Sequence, residues 1–471
     1  MSSEGIDINL TGLVYGGEFS LQPIELLLNM YPNEEYHTNN VELRIDIDQL
    51  EKVRLICKYF TSITNCTFEM GKTSIPPYPP SYSNAEYIEK LLEIPSIRDH
   101  LETVNLNSLE LKYDLSSLKN FRHLKSLELS SCKISLNQLI SSLDTIQPSK
   151  VILRSTPYGH HIPILSIDPL YTYLFNNTSI TSFSDFNYFC VRSRRILIDL
   201  LNHNKTLIDI CMTNLTKEEL SSQLTIQNSV LQKLYVDSLI ESYFIRWNTL
   251  SNLKSISFLE FSSDEVKLLE NYHYHHLETL KISTLQDESC LVYLLRLNLS
   301  FSILIIEKYK STTPLGNNEI LEALQFNRNL KNLTCSCTLD ITFLTNLLSI
   351  TSPIAIKHLT INRDYVKNSN VLQALIGNKY LEHIGFNKRT GENYNNEKND
   401  DFDSIMNLLE NNHYLSSIRY TTFETHNTTN DQLEKLSKIL DSNYNITKLN
   451  IFRVSQFKNI KTIFNNKMID Y

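Results

Sequence analysis

The chain has 471 residues, 41 % of them hydrophobic, and a formal net charge of −8. It is long enough for several compact domains or one extended repeat array. The acidic balance excludes a general nucleic-acid binder, which needs dense positive charge to release counterions, and it excludes a basic patch for a membrane surface. Asparagine is abundant at 48 residues, while glycine (10) and tryptophan (1) are scarce. That bias is typical of AT-rich coding sequence, so Asn-rich stretches carry little functional meaning by themselves.

Residues Met1 to Leu10 are polar and acidic, with neither a basic nor an apolar run. No secretory signal is expected from them. The eight cysteines (57, 66, 132, 190, 211, 290, 335, 337) are scattered and form no CxxC pair. They read as reduced thiols, and the protein is expected in the cytosol or nucleus.

Residues 1–40 read as an N-terminal cap region and 41–471 as a repeat solenoid. Two stretches straddle that boundary: Leu21-Gln-Pro23-Ile-Glu25-Leu26-Leu27, and Leu50 to Phe60 with Val53, Cys57 and Lys58. Together they resemble a stretched F-box, the adaptor-binding helices of ubiquitin-ligase substrate receptors. The gap between the halves is longer than in that family, and Val41 to Ile47 within it alternates like a strand. The other reading is that these residues are the first repeats.

Residues 71–84 form a first insertion, rich in Pro, Tyr and Ser. Gly71-Lys72-Thr73 lacks the upstream glycine of a phosphate loop, and prolines follow where a helix should start, so it is not read as one. Pro79, Pro80 and Tyr82 match the PPxY ligand of WW domains. A proline-rich segment pre-forms the extended helix such grooves take, although a stiff loop has the same composition.

From there a motif recurs: Leu-x-x-Asn-x-x-Leu-x-x-Leu-x-apolar. Good copies are Leu201/Asn204/Leu207/Ile210/Met212, Leu295/Asn298/Phe301/Leu304/Ile306 and Leu324/Asn327/Leu330/Leu333/Cys335. Further ones are Leu375/Asn378/Leu381/Ile384/Phe386, Leu409/Asn412/Leu415/Ile418/Tyr420 and Leu440/Asn443/Ile446/Leu449/Ile451. Weaker copies begin at Leu101, Leu124, Ile180, Leu231, Leu253, Leu277 and Ile356. The last apolar pair of each copy alternates, as in a short strand with one buried side. The residues before each Asn have helical spacing, as in Asp403 to Leu409 and Gln432 to Leu440. The Asn is expected to end that helix in the left-handed conformation, which it tolerates. A mean spacing near 27 residues from position 40 to 446 suits one strand and one helix per repeat. No such repeat can bury its apolar face alone, so repeats must stack.

Leu124-x-x-Leu127-x-Leu129-x-x-Cys132 resembles the leucine-rich-repeat core, and the longer period resembles the ribonuclease-inhibitor-like subclass. The resemblance implies an α/β solenoid of about sixteen irregular repeats, a horseshoe with parallel strands on the concave face and helices on the convex face. That family places Asn or Cys five residues past the second Leu to bond neighbouring backbones. Only Cys132 fits clearly.

Other candidates are minor. Arg192, Arg194 and Arg195 make a short basic run. His160-His161 and the group His273, His275 and His276 read as solvated loop histidines, since metal sites need convergent ligands. The apolar stretch Leu291 to Ile306 contains Arg296 and Asn298 and is shorter than the ~20 residues a bilayer span needs. It reads as core. Residues 388–401 are a second, polar insertion. No catalytic, metal or cofactor residues are expected.

The candidate site is the outward face of the strands: Lys125, Glu128, Lys233, Tyr235, Lys254, Glu278, Lys281, Lys331, Thr334, Lys357, Thr360, Glu382, Arg419, Lys448 and Asn450. Lysine leads at 125, 254, 331 and 357, which suggests a mildly basic stripe for an acidic protein partner, or ordinary strand charge. The function expected is a non-catalytic protein-interaction scaffold, with no nucleic acid or membrane among its partners. The alternatives are an F-box-like ubiquitin-ligase receptor and, as for some members of the subclass, a GTPase-activating regulator.

Overall fold

The computed structural model describes residues 42–46, 65–69, 94–107, 115–130, 132, 134–154, 168–186, 193–213, 215, 227–236, 252–271, 276–349, 355–387, 402–423 and 430–452. The cap region 1–40, both insertions, the PPxY residues Pro79, Pro80 and Tyr82, and the histidines 160, 161, 273 and 275 lie outside them. The chain divides into two compact units, Met1–Leu231 and Gln232–Tyr471.

The described part of the N-terminal unit alternates strands and helices. Strands β1 (Glu42–Asp46), β2 (Asn65–Glu69), β3 (Thr103–Asn107), β4 (Ser126–Ser130), β5 (Lys150–Arg154), β6 (Ser182–Phe186) and β7 (Asp209–Met212) pair in sequence order, every pair parallel. The helices are α1 (Pro95–Arg98), α2 (Leu136–Ile146), α3 (Asp168–Asn176) and α4 (Arg194–His203). The strand expected at Val41 to Ile47 is therefore β1, already paired in the parallel ladder.

The C-terminal unit repeats the scheme. Its strands are β8 (Lys233–Val236), β9 (Ser255–Phe261), β10 (Thr279–Leu285), β11 (Ile303–Tyr309), β12 (Asn332–Cys335), β13 (His358–Asn362), β14 (His383–Asn387), β15 (Ser417–Phe423) and β16 (Lys448–Phe452). Each pairs in parallel with the next. The helices are α5 (Ser263–Asn271), α6 (Glu288–Arg296), α7 (Asn318–Phe326), α8 (Ile341–Ser349), α9 (Ser369–Gly377), α10 (Phe402–Asn411) and α11 (Asn430–Ser442). Successive helices pack side by side, α6 on α7 and α8 on α9. None among the described residues is long and apolar enough to cross a membrane.

Local sequence explains these boundaries. Ser135 starts α2 with a reciprocal capping box to Gln138. Asp287, Asn317 and Asn368 cap α6, α7 and α9 through their side-chain oxygens. Strand residues alternate between half-buried and buried, as in β3, β4 and β12. The buried set is the motif's apolar set: Leu304, Ile306, Leu333, Cys335, Ile384 and Phe386 are all core. So are Leu291, Leu294, Leu295 and Phe301 of the apolar stretch.

The motif asparagine behaves differently from the expectation. Asn204, Asn327 and Asn378 follow their helices with extended backbone, φ −74, −77 and −73°. Only Asn298 and Gln147 are left-handed among the described non-glycine residues. What the position demands is the side chain. Asn412, 1 % exposed, donates from Nδ2 to Leu375 O (2.7 Å) and Asn378 O (3.0 Å) of the preceding repeat. Its Oδ1 accepts from the amides of Tyr414 (2.8 Å) and Leu415 (2.9 Å), which lead into the next strand. Asn204 and Asn228 do the same in the N-terminal unit, donating to Leu174 O and Leu201 O, both at 2.6 Å. Asn327, Asn378 and Asn443 reach Leu295 O, Leu348 O and Leu409 O. Each leucine acceptor lies in the last turn of a helix, where carbonyls have no partner within the helix. The asparagine thus closes one repeat's helix and opens the next repeat's strand.

A second buried clasp joins neighbouring repeats. The Tyr365 hydroxyl donates to Leu339 O (2.7 Å) and accepts from Leu339 N–H (2.5 Å). Burial pushes its pKa up to about 12, with the nearby Cys337 thiol and Asp364 adding to the rise against the hydrogen bond to Leu339.

Two outcomes are expected. Asn412→Ala strands buried carbonyls and amides at ~1–3 kcal/mol per group, so urea denaturation should show a loss of roughly 3 kcal/mol. The exposed Asn411→Ala should stay within about 0.5 kcal/mol. Tyr365 has a folded pKa above its unfolded value of ~10. Its contribution is complete below that value and is lost as pH rises toward 12. Tyr365→Phe should therefore flatten the alkaline loss of stability, and an unchanged slope would contradict this.

Candidate functional site

Parallel sheets ordinarily have both faces covered. In the C-terminal unit, alternate residues of β10 to β14 point instead to a half-exposed face. Parallel pairing without slip turns them into straight rows. One row runs Thr279, Ile303, Asn332, His358, His383 and Ser417. The next runs Lys281, Ile305, Thr334, Thr360, Gly385 and Arg419. A Cβ at Gly385 would lie 2.7 Å from Thr360 Oγ1, so Thr360 fills that position.

The most concentrated chemistry is where β13 meets β14. The rings of His358 and His383 stack with centroids 3.9 Å apart at 27°. Glu382 precedes His383, and its carboxylate pairs with Lys357 at 3.1 Å. That hydrogen bond and charge hold the Glu382 carboxyl below its ordinary value. Burial, then the neighbouring His383, lowers the His358 pKa against the pull of Glu382. Burial also lowers His383, with Lys448 adding to the effect and Glu382 opposing it.

The sequence-predicted residues divide between the units. Lys125 and Glu128 belong to the N-terminal unit, where Lys125 pairs with Glu102 at 2.8 Å and Glu128 with Arg154. The others belong to the C-terminal unit. Lys233, Lys254, Lys331, Arg419 and Lys448 are exposed, and Lys357 is half-buried beside Glu382. Lys281 pairs with Glu307 at 2.7 Å and lies 5.9 Å from the Tyr235 ring centroid. The row of leading residues reads Lys254, Glu278, Ser302, Lys331, Lys357 and Glu382 by its backbone ladder. The stripe expected to be basic is therefore mixed: Glu278 and Glu382 stand in the same row, and Glu382 pairs with Lys357. Aligning the repeats at Ile356 and Leu381 would have placed His358 against His383, since both stand two residues past the leading apolar. Adjacency in sequence order, which singled out other histidines, could not.

Comparison with protein-family models finds no match, and comparison with curated proteins finds none.

The ion pairs on this face set charge pattern more than stability. Lys281 and Glu307 are about one-third exposed (32 % and 37 %). A double-mutant cycle with Lys281→Met and Glu307→Gln should give a coupling of ~0.2–1 kcal/mol that shrinks with added salt. A salt-independent coupling would show that the pair is shielded from solvent.

Proposed function

We propose that the chain is a leucine-rich-repeat scaffold of the ribonuclease-inhibitor-like kind, about sixteen repeats in all. Each unit would be an arc of strands backed by helices, and a protein partner binds the strand face without catalysis. The observation that carries this reading is the half-exposed face that the parallel strands present among the described residues, laid out in straight rows. A face that presents Thr, Asn, His and paired charges around Ile303 and Ile305 suits a protein: apolar anchors at the centre with polar groups around them. The net charge of −8, and the carboxylates Glu307 and Glu382 that pair with Lys281 and Lys357 on this face, speak for a protein over a nucleic acid. Parallel pairing of β1 with β2 supports reading residues from 41 onward as repeats, and not as an adaptor-binding segment.

The test is affinity purification of the intact chain from its own cells, followed by binding to the recovered partner. Ile305→Arg with Thr334→Arg, both on the strand face, should weaken binding by more than about tenfold (~1.4 kcal/mol). Glu322→Arg with Gln325→Arg, on the exposed side of α7, should leave it unchanged. The reverse pattern would move the site to the helices.

A further inference from the structure

The register that aligns the outward rows also brings three metal-ligating groups together. His358 and His383 are direct partners on adjacent parallel strands, and Glu382 enters immediately before His383. One nitrogen of each imidazole and one carboxylate oxygen of Glu382 all lie within 4.8 Å of one another. We propose that His358, Glu382 and His383 form a binding site for a divalent transition-metal ion of the zinc class, with its remaining coordination position open to solvent.

The donor set selects the ion. Two imidazoles and one carboxylate suit zinc, copper or nickel, whereas magnesium and calcium prefer oxygen alone. Three protein ligands with one open position is the pattern of a reactive or bridging site; closed structural sites have four.

The geometry needs only a small adjustment. Bonds of ~2.0–2.2 Å to a tetrahedral ion place ligand atoms about 3.3 Å apart. Closing from at most 4.8 Å is within reach of rotating the rings out of their stack. The strand backbones hold the ligands in place beforehand: the amides of His358 and His383 donate to Lys331 O (3.0 Å) and Lys357 O (3.1 Å). Little chain entropy remains to be lost on binding. In the same row the flanking residues are Asn332 and Ser417, which add neither a repelling cation nor a competing carboxylate.

The competitor is Lys357, whose ammonium sits on Glu382. That pair is 43 % and 51 % exposed, and ion pairs so open to solvent contribute little. An ion ligated by two imidazoles displaces it.

This site does not depend on the partner reading, because the probe is the ion alone. The full chain, stripped with a chelator, is titrated with zinc chloride by calorimetry and with cobalt(II) by visible absorption. Histidines elsewhere in the chain make the comparison with variants decisive. The parent should bind one more zinc ion per chain than His358→Asn with His383→Asn, and the tetrahedral cobalt absorption should disappear in that variant. Glu382→Gln should weaken the site by about tenfold or more, and Lys357→Met should tighten it. Each single histidine variant, checked by circular dichroism, covers the case in which the double variant fails to fold. Ile305→Arg should leave zinc binding intact even where it abolishes partner binding. Equal stoichiometry and affinity in parent and histidine variants, or no zinc binding by the parent, would overturn the proposal.

Discussion

The stacking depends, in six of the described repeats, on one asparagine side chain reaching backward. Each laddered asparagine sits between a finished helix and a strand about to begin, and it has four hydrogen-bonding positions to spend. Asn204, Asn228 and Asn412 use all four: two donated to carbonyls of the preceding repeat and two accepted from amides of their own. Apolar burial supplies most of the stabilising energy, since a buried leucine is worth several kilocalories to its stack, ~2–5 kcal/mol on truncation. Burial is not directional, however, and a stack held by it alone could slide. The asparagine bond has a direction and a length, so it fixes where each repeat sits against its predecessor.

This arrangement also accounts for what the degenerate repeats lack. Backbone groups between strand and helix need partners wherever they are buried. A bond at the position five past the second Leu is present at Cys132, whose Sγ donates to Leu106 O at 3.0 Å. The asparagine ladder at the other junction, from helix to strand, serves the same need in the repeats around positions 204, 228, 327, 378, 412 and 443. At Asn298 the ladder is broken. That residue is exposed and left-handed, and Asn327 still reaches Leu295 O across it.

Much of this is legible in the sequence because the repeat fixes spacing. The strands, the helices before each asparagine and the buried apolar set follow from periodicity. The reason for the asparagine does not. Its tolerance of left-handed backbone is a property of the single residue, while the carbonyls it bonds lie a whole repeat away. The buried Asp185 escapes the pattern for the same reason. It stands at an apolar position of β6 with no exposure, and the Tyr171 hydroxyl that donates to it at 2.8 Å comes from α3. Pattern reading recognises alternation, but not a polar pair that satisfies itself inside the core.

The candidate site shows the same division between local and distant. Individual outward residues can be read from each strand, but their chemistry comes from the row. A lysine leading a strand is basic only until a neighbouring strand brings a glutamate beside it, as Glu382 does for Lys357 and Glu102 for Lys125. A histidine is one solvated ring until the next repeat places another 3.9 Å away. The ladder that holds repeats in register therefore also composes the surface. Asn378 bonds to Leu348 O while its own carbonyl and that of Leu375 hold Asn412, and this series of contacts brackets β14, which carries Glu382 and His383. Changes in the buried ladder should be felt on the exposed face, because the alignment of neighbouring outward side chains has no other fixed reference than the strands they stand on.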